Sequence, residues 1–391
     1  MLPIVCFAKD WGLDPTSNDH VMRELARTTP VLWLESIATR AANLGERGDL
    51  HKIVRKLRGF AEGAREVAPG LFVATPLVLP LPASPVAREL NAHILRAFVA
   101  AHRKRLGIDR FQLWTFLPMA ERYVGTLGES LSVYYCTDEW AQFRGVDRDT
   151  TLAMEQRLLR KVQLTFATSP SLVAAKAHAG VEVRLASHGV DHAHFARALA
   201  PDLAVPPELA NVRGPVIGFF GLLEDWIDHE LAAHCARQRP EWTFVFVGTQ
   251  KVDLGRLSAL PNVLLLDRRP YEALPAYCKR FTVALCHFKQ NELTQYVNPI
   301  KLREYASAGL PVVATDIPGC HGYPEWCTVT RTPAAFLAAL DHWVATDTPT
   351  LRRARSDSMR SESWEARVDA IRAAVNEKLA ATYPARAHQK R

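Results

Sequence analysis

Short apolar runs bounded by turn residues punctuate the chain, and amphipathic stretches fill the intervals between them. Residues 3–8, 31–34, 111–115, 131–136 and 163–168 are mainly apolar throughout, the pattern of strands buried on both faces. Residues 21–27, 87–105 and 149–161 carry helical patterns instead. Buried strands with helices between them predict a parallel sheet covered on each side. After a proline-rich stretch, 201–215, the alternation starts afresh, with 216–220, 244–247, 263–266, 282–286 and 311–315 as strands. Two doubly wound α/β halves are therefore expected, with a cleft between them as the site, since ligands of such sheets bind beyond the carboxyl ends of strands. No repeat of solenoid length interrupts this pattern, and the tail past Ala380 is expected to fray.

Composition narrows the class. A chain of 391 residues exceeds one ordinary core and fits two domains. With 48% hydrophobic and 23% charged residues, neither a disordered chain nor a membrane bundle is the starting expectation. The first eight residues read as a core strand, not as a secretion signal, and no window reaches the roughly 18–20 uncharged apolar residues of a spanning helix. Seven cysteines, odd in number and without a Cys-x-x-Cys pair, fit buried thiols in a cytoplasmic protein. The net charge of +7 concentrates in two places: residues 352–391 hold ten Lys/Arg against five Asp/Glu, and 51–66 hold five against two. A solvated face is the ordinary meaning of such clusters, and anionic lipid or acidic saccharide is the functional one. Nucleic acid is not expected as a partner, because no binding motif accompanies the charge.

The run from Asn298 to Thr315 carries most of the chemistry. Asn298 is a good N-cap, Pro299 suits a first helical turn, and Gly309 followed by Pro311 supplies a stop before a buried strand. Free N–H groups at that helix start, with Lys301 in the first turn, can hold a diphosphate. Glu304 falls on the same side as Ile300 and Lys301, placed to accept from a ribose diol. The plain alternative is a surface ion pair between Lys301 and Glu304. Asp138 and Glu139 end a strand and can orient an acceptor hydroxyl, although Asp138 reads equally well as a helix cap. In His188-Gly189-Val190-Asp191, Gly189 suits a turn and Asp191 a cap. Thr16 to His20 opens an amphipathic helix, and His20 joins the candidates there. A dinucleotide dehydrogenase is disfavoured: residues 7–14 hold a single glycine, and Gly218-Phe219-Phe220-Gly221 has the wrong spacing.

These strings together resemble the donor-binding half of retaining GT-B glycosyltransferases of the type 4 group, and most of all a bacterial branch related to teichuronic-acid and exopolysaccharide enzymes. The likeness extends to Tyr134-Tyr135-Cys136-Thr137-Asp138-Glu139-Trp140, to Ser187-His188-Gly189-Val190-Asp191, to Gly218 through Gly221 with Trp226-Ile227-Asp228, and to Arg268-Arg269-Pro270-Tyr271-Glu272-Ala273-Leu274-Pro275. It implies an acceptor-binding Rossmann-like domain over 1–190, a nucleotide-sugar-binding one over 191–363, and a helix and tail over 364–391 that cross back to the first. It further implies transfer of a hexosyl unit from a nucleoside-diphosphate sugar (UDP or GDP) to a saccharide or lipid-linked glycan, with retention and without a cofactor or obligatory metal. Donor contacts are expected from Asn298, Pro299, Ile300, Lys301, Glu304, Arg269 and Gly221, and acceptor chemistry from Asp138, Glu139 and His20. The departures are specific. Tyr296 stands where the group's first acid falls, and Leu222 and Ile227 replace its usual Arg and Lys, so neutralising the diphosphate falls to Lys301 with Arg269 or Lys289. A GT-B scaffold without turnover and a nucleotide-sugar epimerase are the alternative functions. The basic, partly amphipathic stretch 51–65 adds the expectation of peripheral contact with an anionic membrane at its cytoplasmic face.

Overall fold

All five apolar runs of the first half become strands of one sheet. The computed structural model describes residues 1–12, 15–35, 47–79, 81, 84–178 and 180–383, so the expected fraying of the tail from residue 384 lies outside the described residues. The chain divides into two units, one of Met1–Ala186 together with the chain from Val368 onward, the other of Ser187–Arg367.

The first unit runs β1 (Ile4–Phe7), α1 (Ser17–Ala26), β2 (Val31–Leu34), α2 (Arg47–Glu62), β3 (Arg65–Ala68), β4 (Leu71–Ala74), α3 (Pro85–Arg105) and β5 (Gln112–Thr115). It continues with β6 (Leu131–Cys136), α4 (Arg148–Lys161), β7 (Leu164–Ala167), α5 (Pro170–Lys176) and β8 (Val183–Leu185). The sheet order is β3-β4-β2-β1-β5-β6-β7-β8. Pairing is parallel from β4 through β8, but β3 lies antiparallel to β4 across a bulge between Glu66 and Ala68, so the sheet is mixed at this edge. Exposed Arg65 and Glu66 give β3 no apolar signature. Gln112, a polar residue in a buried strand, is satisfied on both ends: its Nε2 donates to Leu2 O at 2.7 Å and its Oε1 accepts from Trp114 Nε1 at 2.9 Å.

The second unit runs α6 (His192–Ala196), α7 (Pro207–Ala210), β9 (Val216–Phe220), α8 (His229–Gln238), β10 (Thr243–Val247), β11 (Val263–Leu266) and α9 (Leu274–Arg280). Then follow β12 (Val283–Cys286), α10 (Ile300–Ser307), β13 (Val312–Thr315), β14 (Cys327–Thr330), α11 (Pro333–Thr346), α12 (Pro349–Ser358) and α13 (Trp364–Thr382). Its sheet, β11-β10-β9-β12-β13-β14, is parallel throughout. Strand order reverses between β9 and β12, which marks the carboxyl ends of those strands as the place where such a sheet binds ligands. From Val368 onward α13 belongs to the first unit, where Arg184 grips Glu377 at 2.7 and 3.1 Å and Lys378 reaches Glu182 at 2.6 Å.

All seven cysteines are free and buried. No described helix is long and apolar enough to cross a membrane. Asp191 caps α6 by accepting from His194 N at 3.1 Å. Gly189 is not the turn glycine expected from the sequence: its φ is not positive, and the missing Cβ lets its backbone press against Trp364.

Candidate functional site

At the switch point of the second unit, Gly221 follows the end of β9 and β12 leads through His287, Phe288 and Lys289 into the loop before α10. That loop is shaped locally: Thr294 Oγ1 donates to Lys289 O at 2.7 Å, while Asn291 and Thr294 exchange backbone-to-side-chain bonds at 3.0 Å each. Gly221 has φ +136°, and a Cβ there would collide with the Lys301 side chain, whose Nζ lies 2.8 Å from that position. The absent side chain is therefore what allows Lys301 to lie across the end of β9. Behind it, Gly221 N donates to Val247 O at 2.9 Å and ties the end of β9 to β10.

The start of α10 corrects the expected cap. Pro299, not Asn298, holds the N-cap position, and no side chain caps the helix. Asn298 is drawn off by Arg303, whose Nη1 donates to its Oδ1 at 3.0 Å, while Arg303 Nε donates to Glu362 at 3.2 Å. The N–H groups of Ile300 and Lys301 consequently meet no acceptor among the described residues. The other end stops as expected: Gly309, at φ +80°, donates to Ala306 O at 2.9 Å and Leu310 to Tyr305 O at 2.8 Å, a Schellman closure. Tyr305, unremarked in the sequence, anchors the helix, because its buried hydroxyl accepts from Phe220 N at 3.0 Å. Arg303 and Tyr305 were missed because each reads as an ordinary helical residue; only their long-range partners reveal them.

Lys301 and Glu304 do not form the surface ion pair that was the plain alternative. Lys301 Nζ has no carboxylate within 4.0 Å among the described residues and sits 5.9 Å from the Phe219 ring centroid. Glu304 is only 7% exposed, and its carboxylate accepts no hydrogen bond from any described residue. Burial raises its pKa from 4.5 to about 7, against the opposing pull of the Lys301 charge. The result is one ammonium and one largely buried carboxylate on successive turns, both without a side-chain partner among the described residues. Nearby, His287 is fully buried between Phe219 and Phe246 with both ring nitrogens unbonded, and burial lowers its pKa to about 3.

The other candidates separate. Arg269 is committed to Glu208 at 2.9 Å and to Tyr277 Oη at 2.8 Å, whereas exposed Lys289 pairs with no acid among the described residues. Leu222 is exposed and Ile227 is buried, while Tyr296 is half-buried. In the first unit, Asp138 and Glu139 follow β6 by two and three residues. Asp138 caps no helix, since α4 is capped by Asp147. It pairs with no cation among the described residues, is partly exposed, and its pKa is raised by burial despite a hydrogen bond from Thr137. Glu139 is buried and bonded by Lys176 Nζ at 2.6 Å. His20 lies in the first turns of α1, half-exposed, and that helix begins with Thr16 N and Oγ1 both donating to Asp19 Oδ2 at 2.9 Å. Asp147 and Asp149 have the spacing of a metal-binding pair, but Asp147 Oδ1 is the α4 cap, accepting from Thr150 N at 2.9 Å. No group of three or more His, Cys, Asp or Glu among the described residues could hold a metal ion.

Two Rossmann-like units, the second all-parallel and the C-terminal helix shared with the first, define the GT-B fold. Within it, residues 214–346 match the sequence profile of the family described as Glycosyl transferases group 1. Over 230 residues the chain is 29% identical to the putative teichuronic acid biosynthesis glycosyltransferase TuaH of Bacillus subtilis, a match covering 54% of this chain and 56% of that protein. It thus spans little more than half the length of that relative. Sucrose-phosphate synthase from Thermosynechococcus elongatus has the same fold, with a TM-score of 0.68 at 15% identity over 97% of this chain and 100% of that one. HepE of Anabaena, solved in complex with UDP and glucose, gives 0.66 at 14% identity over 96% and 100% of the two chains.

Proposed function

We propose that the chain is a glycosyltransferase that moves a hexosyl unit from a nucleoside-diphosphate sugar to a saccharide or lipid-linked glycan, with retention and without an obligatory metal. The observation that carries this reading is the unpartnered pair on α10. A carboxylate in a nearly closed setting, with no donor from the described residues, suits a ligand that supplies the missing hydrogen bonds. A ribose diol supplies two donors to Glu304. The diphosphate takes the Lys301 ammonium and the free N–H groups of Ile300 and Lys301, with Lys289 as a further cation. This assigns the second unit to the donor and the first to the acceptor, as in the domain division expected from the sequence.

In transfer, the bond between the anomeric carbon and the diphosphate oxygen breaks, and the diphosphate leaves with the electron pair. The acceptor oxygen bonds to that carbon on the face the diphosphate leaves, as retention requires, and its proton passes to Asp138, the acid in the turn after β6 that no cation among the described residues holds. HepE in complex with UDP-glucose supports a uridine donor, and the teichuronic acid enzyme supports a surface-glycan acceptor. The same reading places the protein in the cytoplasm, touching the inner face of the membrane through α2.

The test is calorimetric titration with UDP, GDP and their glucose conjugates. Binding by the wild type that weakens at least tenfold in both Lys301→Ala and Glu304→Ala, with melting temperature retained, is the expected result. A chain that binds no nucleoside diphosphate would defeat the reading, and equal binding by all three proteins would return α10 to a structural role.

A further inference from the structure

One buried ionic cluster in the first unit plays no part in the donor site. Lys176, the last residue of α5, is 4% exposed. Its Nζ donates to Glu139 Oε2 at 2.6 Å and to Glu155 Oε2, from α4, at 2.8 Å. Tyr134, in β6, donates its hydroxyl proton to Glu155 Oε1 at 2.7 Å from behind. One cation thus faces two carboxylates in the interior, and the second oxygen of Glu139 has no donor among the described residues. As a source of stability this is a poor bargain, because removing such charges from water costs several kcal/mol each and apolar packing would serve as well or better. What a buried, multiply bonded cluster does deliver is a fixed geometry.

The element it fixes is the turn after β6. Thr137 O accepts from Thr168 Oγ1 at 2.8 Å, Asp138 O from Cys136 Sγ at 3.4 Å, and Glu139 O from Gln142 N at 3.0 Å. With the Glu139 side chain clamped as well, the backbone on both sides of Asp138 is held, while the Asp138 carboxylate itself stays outside every ion pair among the described residues. The two neighbouring acids are therefore unlike: Glu139 is consumed by the fold and Asp138 is left available.

We propose that Lys176 is a positioning residue for the acceptor reaction: by clamping Glu139 against Glu155 it fixes the Thr137–Trp140 turn, and with it the point at which Asp138 meets the incoming hydroxyl. The proposal rests on the transfer reading above, and it concerns geometry that can be measured without turnover. Trp140, adjoining Glu139 and packed 5.8 Å from Phe143, reports on that geometry.

The experiment labels the full chain with 5-fluorotryptophan, assigns the Trp140 fluorine resonance by Trp140→Phe, and follows UDP release from UDP-glucose with water as acceptor. Three variants are compared: Lys176→Met, Lys176→Arg, and the uncharged Lys176→Met/Glu139→Gln/Glu155→Gln, which keeps the fold testable should the single replacement unfold. Lys176→Met is expected to shift or split the Trp140 resonance and to lower kcat about tenfold to a hundredfold, with the KM for UDP-glucose within about twofold of wild type. Lys176→Arg is expected to recover both, and the triple variant to melt as wild type does while repeating the Met phenotype. A wild-type Trp140 resonance and kcat in either folded variant lacking the cation would overturn the proposal. A wild type that neither binds nor cleaves UDP-glucose counts against the transfer reading instead, and the fluorine resonance then still decides whether Lys176 holds the turn.

Discussion

Two buried ionisable residues of the second unit pull its stability in opposite directions with pH. Glu304 has its pKa raised to about 7, so the folded chain keeps a proton that the unfolded chain, near 4.5, has already lost. Its contribution is present below pH 4.5 and is lost as pH rises through 7. Glu304→Gln is therefore expected to melt higher than wild type at pH 8, by on the order of 1–3 kcal/mol in stability, and to match it near pH 4. The same variant should bind UDP at least tenfold more weakly, since a neutral amide replaces a charged acceptor. Scanning calorimetry at the two pH values, with a UDP titration, checks both halves. His287 has the reverse sign: its pKa falls from 6.5 to about 3, so unfolding takes up a proton and stability drops as pH falls below 6.5. Replacing it with Phe, which suits its setting between Phe219 and Phe246, should flatten the fall in melting temperature between pH 6.5 and 4.

At the scale of the element, α10 works because it is held from outside itself. Tyr305→Phe removes the hydroxyl that accepts from Phe220 N and leaves a buried N–H unpaired, an expected loss of about 1–3 kcal/mol in denaturant unfolding together with weaker UDP binding. Gly221→Ala should displace the Lys301 side chain and lower UDP affinity more than it lowers the melting temperature; equal falls in the two would indicate general strain. These anchors also mark where sequence reading stopped. Strands such as Val31–Leu34 and Leu131–Cys136 were legible because parallel sheets buried on both faces leave unbroken apolar runs. β3 was not, because an edge strand bearing Arg65 and Glu66 has no such run. On α10 the terminating Gly309 was legible from local rules, whereas the cap was not, because Arg303 reaches Asn298 and Glu362 at once, and Glu362 lies 59 residues from Arg303. Nor could spacing say that Lys301 and Glu304, three apart, would stay unpaired; that depends on Gly221 letting the lysine lie over β9.

For the whole molecule, α2 makes the sharpest prediction about location. Val54, Leu57 and Phe60 recur at three-residue intervals and are 60%, 49% and 44% exposed, while Arg58 beside them pairs with Glu62 at 2.8 Å and Arg55 with Asp10. The chain is expected to float with phosphatidylglycerol vesicles at low salt and to lose much of that binding at high salt. Val54→Glu/Leu57→Glu should abolish it without lowering the melting temperature, and absence of flotation at low salt removes the idea. A different consequence follows from α13. The second unit is one unbroken stretch, Ser187–Arg367, whereas the first needs Val368, Ile371 and Val375 of that final helix to cover its interior. As the chain emerges from the ribosome, the half made first must wait with an apolar surface uncovered while the half made second can already close. The order of synthesis and the order of completion are thus reversed: residues made after the whole of the second unit are the ones that seal the first.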